Sequence, residues 1–155
     1  MTPAIKFLKK EKIPYSLHEY THDTLNTNYG KEASLALAID AQRVFKTLVV
    51  MLSSNKLAVA IIPVSSKLNM KQVAKAFNVK KANMAESTDV ERSTGYIIGG
   101  ISPLGQKKSL HTLIDASAQN FPSIYISGGQ RGLEIELNAQ DLKNATNGSF
   151  FSLCS

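Results

Sequence analysis

The chain has one cysteine, no tryptophan and no long apolar run. A single thiol cannot close an internal disulfide, so a reducing compartment suits it. The longest apolar runs, 48–52 and 57–64, fall far short of the about 20 residues a spanning helix needs. At the start, Lys9, Lys10 and Lys12 interrupt the apolar positions, so no signal-peptide core is expected there. A cytoplasmic protein, with no membrane contact, is the expectation. Acidic residues are also scarce, 12 against 18 lysines and arginines, for a net charge of +6. The excess gathers at Lys6–Lys12, at Lys71, Lys75, Lys80 and Lys81, and at Lys107–Lys108. That balance favours a polyanionic partner held through phosphate contacts. Ordinary solvated helix faces would carry the same lysines.

Metal ligands are few. His18 and His22 have the four-residue spacing of a zinc pair on a helix. Pro14 and "YSLHEY" instead predict a strand, which would scatter the two rings, and His111 is the only other histidine. No metal site and no cofactor are expected. Cys154 sits next to the C-terminus, where residues tend to be mobile, and reads as an incidental thiol.

What is present suffices for a core. A chain of 155 residues with 43% hydrophobic content fits one globular domain, read as spanning 1–155. Thr2 and Pro3 have the chemistry of an N-cap and first helical position, opening a helix through about Lys10. A strand is predicted at 15–20 and a helix at 31–39. Two β-rich runs, 44–52 and 57–62, are joined by "SSNK" as a hairpin. Helix 68–77 follows, then Thr88–Glu91 with capping-box spacing ahead of a short helix. A strand near 112–114 precedes "SIYISGGQRGLEIEL", which reads as a second hairpin around Gly128 and Gly129. Asn138 caps a final helix through about Ala145. The order is mixed, so the expected class is α/β or α+β with a mixed sheet.

Standard catalytic signatures are near misses. "GISPLGQK" puts Gln106 where a P-loop needs lysine directly after the glycine. "GGISPL" puts Leu104 where a nucleophile elbow needs its last glycine. No Ser-His-Asp arrangement is visible by spacing.

One lysine stands out. In "VFKTLVV" (44–50), strand periodicity places Lys46 on one face with Val44, Leu48 and Val50. A lysine there either lines a cavity or snorkels from a sheet edge to water. The stretch "RSTGYIIGGISPLG" (92–105) adds a loop rich in glycine and hydroxyl groups. A cation and such a loop together can build an anion or ester pocket.

These segments carry a resemblance. "FKTLVV" (45–50), "VAKAF" (73–77), "RSTGYIIGGISPLGQKK" (92–108), "TLIDASAQ" (112–119) and "IYISGGQRGLEIEL" (124–137) resemble the YbaK/EbsC family, and within it the YbaK-type Cys-tRNA(Pro) deacylases. The resemblance implies a single mixed-sheet domain or partly closed barrel surrounded by helices. It implies a trans-editing hydrolase that removes cysteine mischarged onto proline tRNA, with the acceptor 3′ end as ligand and prolyl-tRNA synthetase as a candidate partner. The oligomeric state stays open.

By position, the family's central lysine matches Lys46, implied to orient the terminal nucleotide or ester. Its pocket wall matches Gly99, Gly100, Ile101 and Ser102. There the glycines would let the substrate approach the main chain, and N–H groups near Gly100 would stabilise developing negative charge. Tyr20 matches a pocket tyrosine, and Thr47, Thr94, Ser127 and Gly128 match further lining positions. Tyr29 stands where relatives often have phenylalanine. Glu134 stands where aspartate is usual, and its alternation with Leu133 and Ile135 equally fits a solvent-facing strand position. In the implied mechanism the substrate's own thiol attacks its ester. Ala-tRNA(Pro) hydrolysis by a held water, and a non-catalytic module binding acceptor stems, are the alternatives.

Overall fold

A computed structural model describes residues 1–155. Helix α1 (Pro3–Glu11) begins as its sequence predicts. The Thr2 hydroxyl accepts the Ile5 N–H at 3.3 Å, Pro3 opens the helix, and Lys12 ends it at φ 56°. Thr2 also donates its hydroxyl to the Gly128 carbonyl at 2.6 Å, tying the helix to a distant hairpin.

Strand β1 (Ser16–Glu19) is followed by α2 (Tyr29–Ala36), the hairpin β2 (Phe45–Leu52) and β3 (Leu57–Pro63), and α3 (Met70–Ala76). Next come β4 (Ala82–Met84), α4 (Ser87–Thr94), β5 (His111–Asp115) and a 3₁₀ turn at Ala116–Asn120. The hairpin β6 (Ile124–Ser127) and β7 (Leu133–Leu137), α5 (Ala139–Thr146) and β8 (Ser149–Phe151) complete the order. No helix is long and apolar enough to cross a membrane.

The architecture is α+β with mixed pairing, as expected, but it is not a barrel. A five-stranded sheet runs β4-β2-β3-β5-β8, with β3, β5 and β8 parallel, and a separate antiparallel sheet runs β1-β7-β6. The two meet at one corner, through a parallel bridge between Val44 and Tyr125. Closure fails because β4 occupies the same flank of β2 further along, at Val50–Leu52. The period of two then sorts the core. Phe45 and Val49 join Ile61, Ile126 and Ile135 in the larger buried cluster. Val50 and Leu52 join Ile62, Val73 and Leu153 in the smaller one.

Two helix starts and the C-terminal tail show what moves the boundaries away from the sequence reading. Helix α2 starts earlier, because Asn28 accepts the Lys31 N–H at 3.3 Å and caps it there. Helix α4 starts at Ser87, so Thr88 lies inside it, and the Glu91 carboxylate accepts the Ile98 N–H rather than closing a capping box. The C-terminal end, expected to be mobile, is tied down. The Asp115 carboxylate accepts the Leu153 N–H at 2.9 Å, Leu153 O accepts from Asn69, and Cys154 bridges Leu68.

Leu153 is fully buried in the smaller cluster. Leu153→Ala should therefore destabilise the fold by about 2–5 kcal/mol, read from the urea midpoint. A shift no larger than that of an exposed-leucine control such as Leu35→Ala would show that the tail contributes nothing to the core.

Candidate active site

A cavity of about 580 Å³ opens where the two sheets part. Five consecutive residues of β2, Phe45 to Val49, line it. Successive strand side chains point to opposite faces, so only an opening at the strand's edge can be lined by five in a row.

Main-chain bonds locate that edge. The Val64 N–H donates to Val44 O, which turns the even-numbered residues of this stretch toward β3. The odd-numbered ones face the other way. Arg43 O accepts from Tyr125 of β6 at 2.9 Å, and Val49 O accepts from Ala85 at 3.0 Å. Thr47 lies between those two contacts, beyond the reach of either ladder. The residue is 9% exposed, and its buried hydroxyl has no hydrogen-bond partner.

Lys46 lines the cavity from the opposite face of β2, half-buried, as its periodicity suggests. Tyr20, Tyr29, Gly99, Ile101, Ser127 and Glu134 join it there. Burial is the first cause raising the Tyr20 phenol, and Glu134 and Glu32 add to it. Glu134 is 6% exposed, which removes the solvent-facing reading. Burial alone pushes its carboxyl up to about 8, with no cation compensating. It sits in β7 opposite His18 on one side and Ser127 on the other.

Four candidate residues do not line the cavity. Thr94 is buried in α4, where its hydroxyl donates to Val90 O at 2.8 Å and accepts the Tyr96 N–H. Ser102 is fully buried, accepting the Leu104 N–H at 3.3 Å. Gly128 packs on Leu133, whose Cγ would lie 2.6 Å from an added Cβ. Gly100 donates its N–H to Ile97 O at 2.9 Å, so that group is already used.

The two adjacent glycines also serve the protein's own packing. A Cβ on Gly100 would come within 2.7 Å of Gln130 Cα. At Gly99, φ is 99° and a Cβ would lie 3.2 Å from the Tyr29 ring and from Arg131 Cδ. Both glycines thus let segments of the protein itself approach closely. At Gly100 glycine is needed because backbone meets backbone, and at Gly99 because φ is positive and side chains crowd the position.

Arg131 was not singled out in the sequence. Its signal is an arginine between Gln130 and Gly132 at the tip of a glycine-rich hairpin. One guanidinium nitrogen, Nη2, donates to Asp23 O at 2.7 Å, Asn26 O at 2.9 Å and Glu32 Oε1 at 3.2 Å. The guanidinium also stacks on Tyr29, 4.5 Å from the ring centre. It thus clasps the segment before α2 over the cavity. Cys154 stands apart from the cavity lining, and its thiol is pushed up to about 11, first by burial and then by Asp115. No histidine lines the cavity either.

Comparison with known proteins defines the class. A family model described as the aminoacyl-tRNA editing domain matches residues 27–145. EbsC of Enterococcus faecalis, provisionally named a Cys-tRNA(Pro)/Cys-tRNA(Cys) deacylase, is 38% identical over 151 residues, covering 96% of this chain and 90% of its own. The uncharacterized protein YwhH of Bacillus subtilis is 24% identical across 72% of this chain and 71% of its own. A solved structure described as a candidate trans-editing enzyme for prolyl tRNA synthetase superposes with a TM-score of 0.87 at 18% identity, over 99% of this chain and 95% of that one. The hypothetical protein APE2540 superposes at 0.88 with 20% identity, covering 99% of each chain. The structural likenesses speak to fold, and the family match speaks to class. The chain is an aminoacyl-tRNA editing protein, a deacylase of aminoacyl esters. It belongs to the YbaK/EbsC family.

Glu134 makes the site's electrostatics testable. Its folded pKa lies above the unfolded carboxyl value, so between about 4.5 and 8 the native state holds a proton the unfolded chain has lost. Stability should fall as pH rises through that window, by up to about 1.4 kcal/mol per pH unit. Glu134→Gln should flatten this slope and be more stable than the parent at pH 8. Parallel pH profiles of unfolding for both proteins would contradict a buried, uncompensated carboxyl.

Proposed function

We propose that this editing protein, read as one domain over 1–155, deacylates cysteine mischarged onto proline tRNA, with the substrate supplying its own nucleophile. The observation that carries the reading is the lining of the cavity. It offers one lysine, a free strand edge and a buried acid, and neither a histidine nor a cysteine lies among its walls. An aminoacyl ester is already activated, so positioning is the chief task left to the protein. Held in a near-attack geometry, an intramolecular reaction gains roughly 7–11 kcal/mol.

The step balances simply. The cysteinyl sulfur bonds to its own ester carbonyl carbon, and the bond from that carbon to the ribose oxygen breaks. The thiol's proton ends on the ribose oxygen, freeing the tRNA. The resulting cyclic thioester is opened by water to cysteine. Lys46 binds the terminal nucleotide or ester oxygens, and Tyr20 and Tyr29 shape the walls. In the glycine loop, Gly99 and Ile101 have main-chain N–H groups without a partner in the chain, whereas that of Gly100 is occupied. Those two take the place first assigned to Gly100 in holding developing negative charge. The name of EbsC, at 38% identity, supports cysteine as the acyl group. The net charge of +6 supports a polyanionic ligand. Selection of proline tRNA is assigned to a complex with prolyl-tRNA synthetase.

Purified Cys-tRNA(Pro) should be hydrolysed and Ala-tRNA(Pro) much more slowly. Lys46→Ala should lose roughly 10²-fold in kcat/KM, or about 2.7 kcal/mol of transition-state stabilisation, while its melting temperature is preserved. Faster cleavage of Ala-tRNA(Pro) would favour a held water, and cleavage of neither ester would leave a binding module. An unaltered Lys46→Ala enzyme would remove Lys46 from the site.

A further inference from the structure

The flank of β2 skips one residue. Arg43 is bonded to β6 and Val49 to Ala85, and Thr47 between them faces the cavity with its main-chain N–H and C=O outside both ladders. Its hydroxyl is buried without a partner. Buried polar groups in a native protein are ordinarily satisfied, so an orphan on a residue that lines a cavity points to a group that arrives with the ligand. In an antiparallel ladder, one residue's N–H and C=O bond the N–H and C=O of the residue opposite. An aminoacyl ester carries the same two groups at the same spacing, an amine and a carbonyl on either side of one Cα.

Resting on the deacylase reading above, we propose that the aminoacyl group docks on Thr47 as a one-residue β-strand. Its ammonium donates to Thr47 O and Oγ1, and its ester carbonyl accepts the Thr47 N–H. This is strand addition at its shortest, with the main chain giving affinity and the cavity walls receiving the side chain. The main chain of Thr47 thereby recognises the α-amino group whatever the acyl side chain is. The same N–H lies where negative charge grows as the carbonyl is attacked.

The test uses the amide-linked analogue 3′-(cysteinylamino)-3′-deoxyadenosine, which keeps amine and carbonyl but is not an ester, beside its N-acetyl derivative. Calorimetry on the full chain should show the free amine binding at least about tenfold more tightly than the N-acetyl form. In ¹⁵N–¹H spectra the Thr47 amide resonance should move on binding. Thr47→Val should narrow the preference for the free amine without lowering the melting temperature, because a methyl replaces a hydroxyl that had no partner. Equal affinity for both analogues, no binding of either, or an unmoved Thr47 resonance overturns the inference. Deacylation of Cys-tRNA(Pro) is measured alongside. Hydrolysis without an amine preference sinks only the docking mode. A preference without hydrolysis sinks the deacylase reading and leaves the docking mode standing.

Discussion

Strand β2 must satisfy main-chain hydrogen bonds on both flanks, and its outer flank is divided between two partners that cannot meet. β6 reaches it at Val44 and β4 takes over at Val50. Everything about the site depends on that division. It parts the two sheets, places a cavity of about 580 Å³ at the strand's edge, and lets side chains from both faces line it. The larger core cluster holds β2 through Phe45 and Val49, and the smaller one through Val50 and Leu52. The edge between them is therefore rigid while remaining unpaired. A rigid, unpaired edge is what positional catalysis needs.

The walls around that edge are held by contacts that leave little slack. Gly100 lies against Gln130 backbone to backbone, and Gly99 gives room to Tyr29 and Arg131. Arg131 then gathers Asp23, Asn26 and Glu32 into one clasp. Charge is distributed with the same economy. Lys46 and Glu134 both line the cavity, yet no ion pair joins them, and burial alone sets the state of Glu134. The free site thus presents a cation able to meet an oxyanion and a largely protonated acid at neutral pH.

Local pattern made much of this legible. The period of two alone places Lys46 on its face, and Thr2, Pro3 and Asn138 mark their helix ends because capping is a short-range interaction. The hairpins at 44–62 and 124–137 were readable for the same reason, although the second is joined by a loop reaching from Gly128 to Gly132. The rest was decided at long range. Thr94, Ser102 and Gly128 look alike in sequence to lining residues, but each is committed to an internal contact that only the fold brings about. Gly100 is glycine for the sake of Gln130, thirty positions away. Arg131 and the gap at Thr47 depend on where β6 and β4 stop, and no local pattern encodes that. The tied C-terminus likewise depends on Asp115, 38 residues before Leu153.

The claim that unites the site is that the protein positions and the substrate attacks. Comparing single-turnover cleavage of Cys-tRNA(Pro) and Ser-tRNA(Pro) tests it most directly, since the two acyl groups are close in size and differ in nucleophile. A free thiol has a pKa near ~8.5 and its thiolate is strongly nucleophilic, whereas a serine hydroxyl needs a base to react. Much faster cleavage of the cysteinyl ester, with a rate rising toward the thiol's pKa, is the expected result. Equal rates for the two esters would contradict the account and assign the attack to a water held in the cavity.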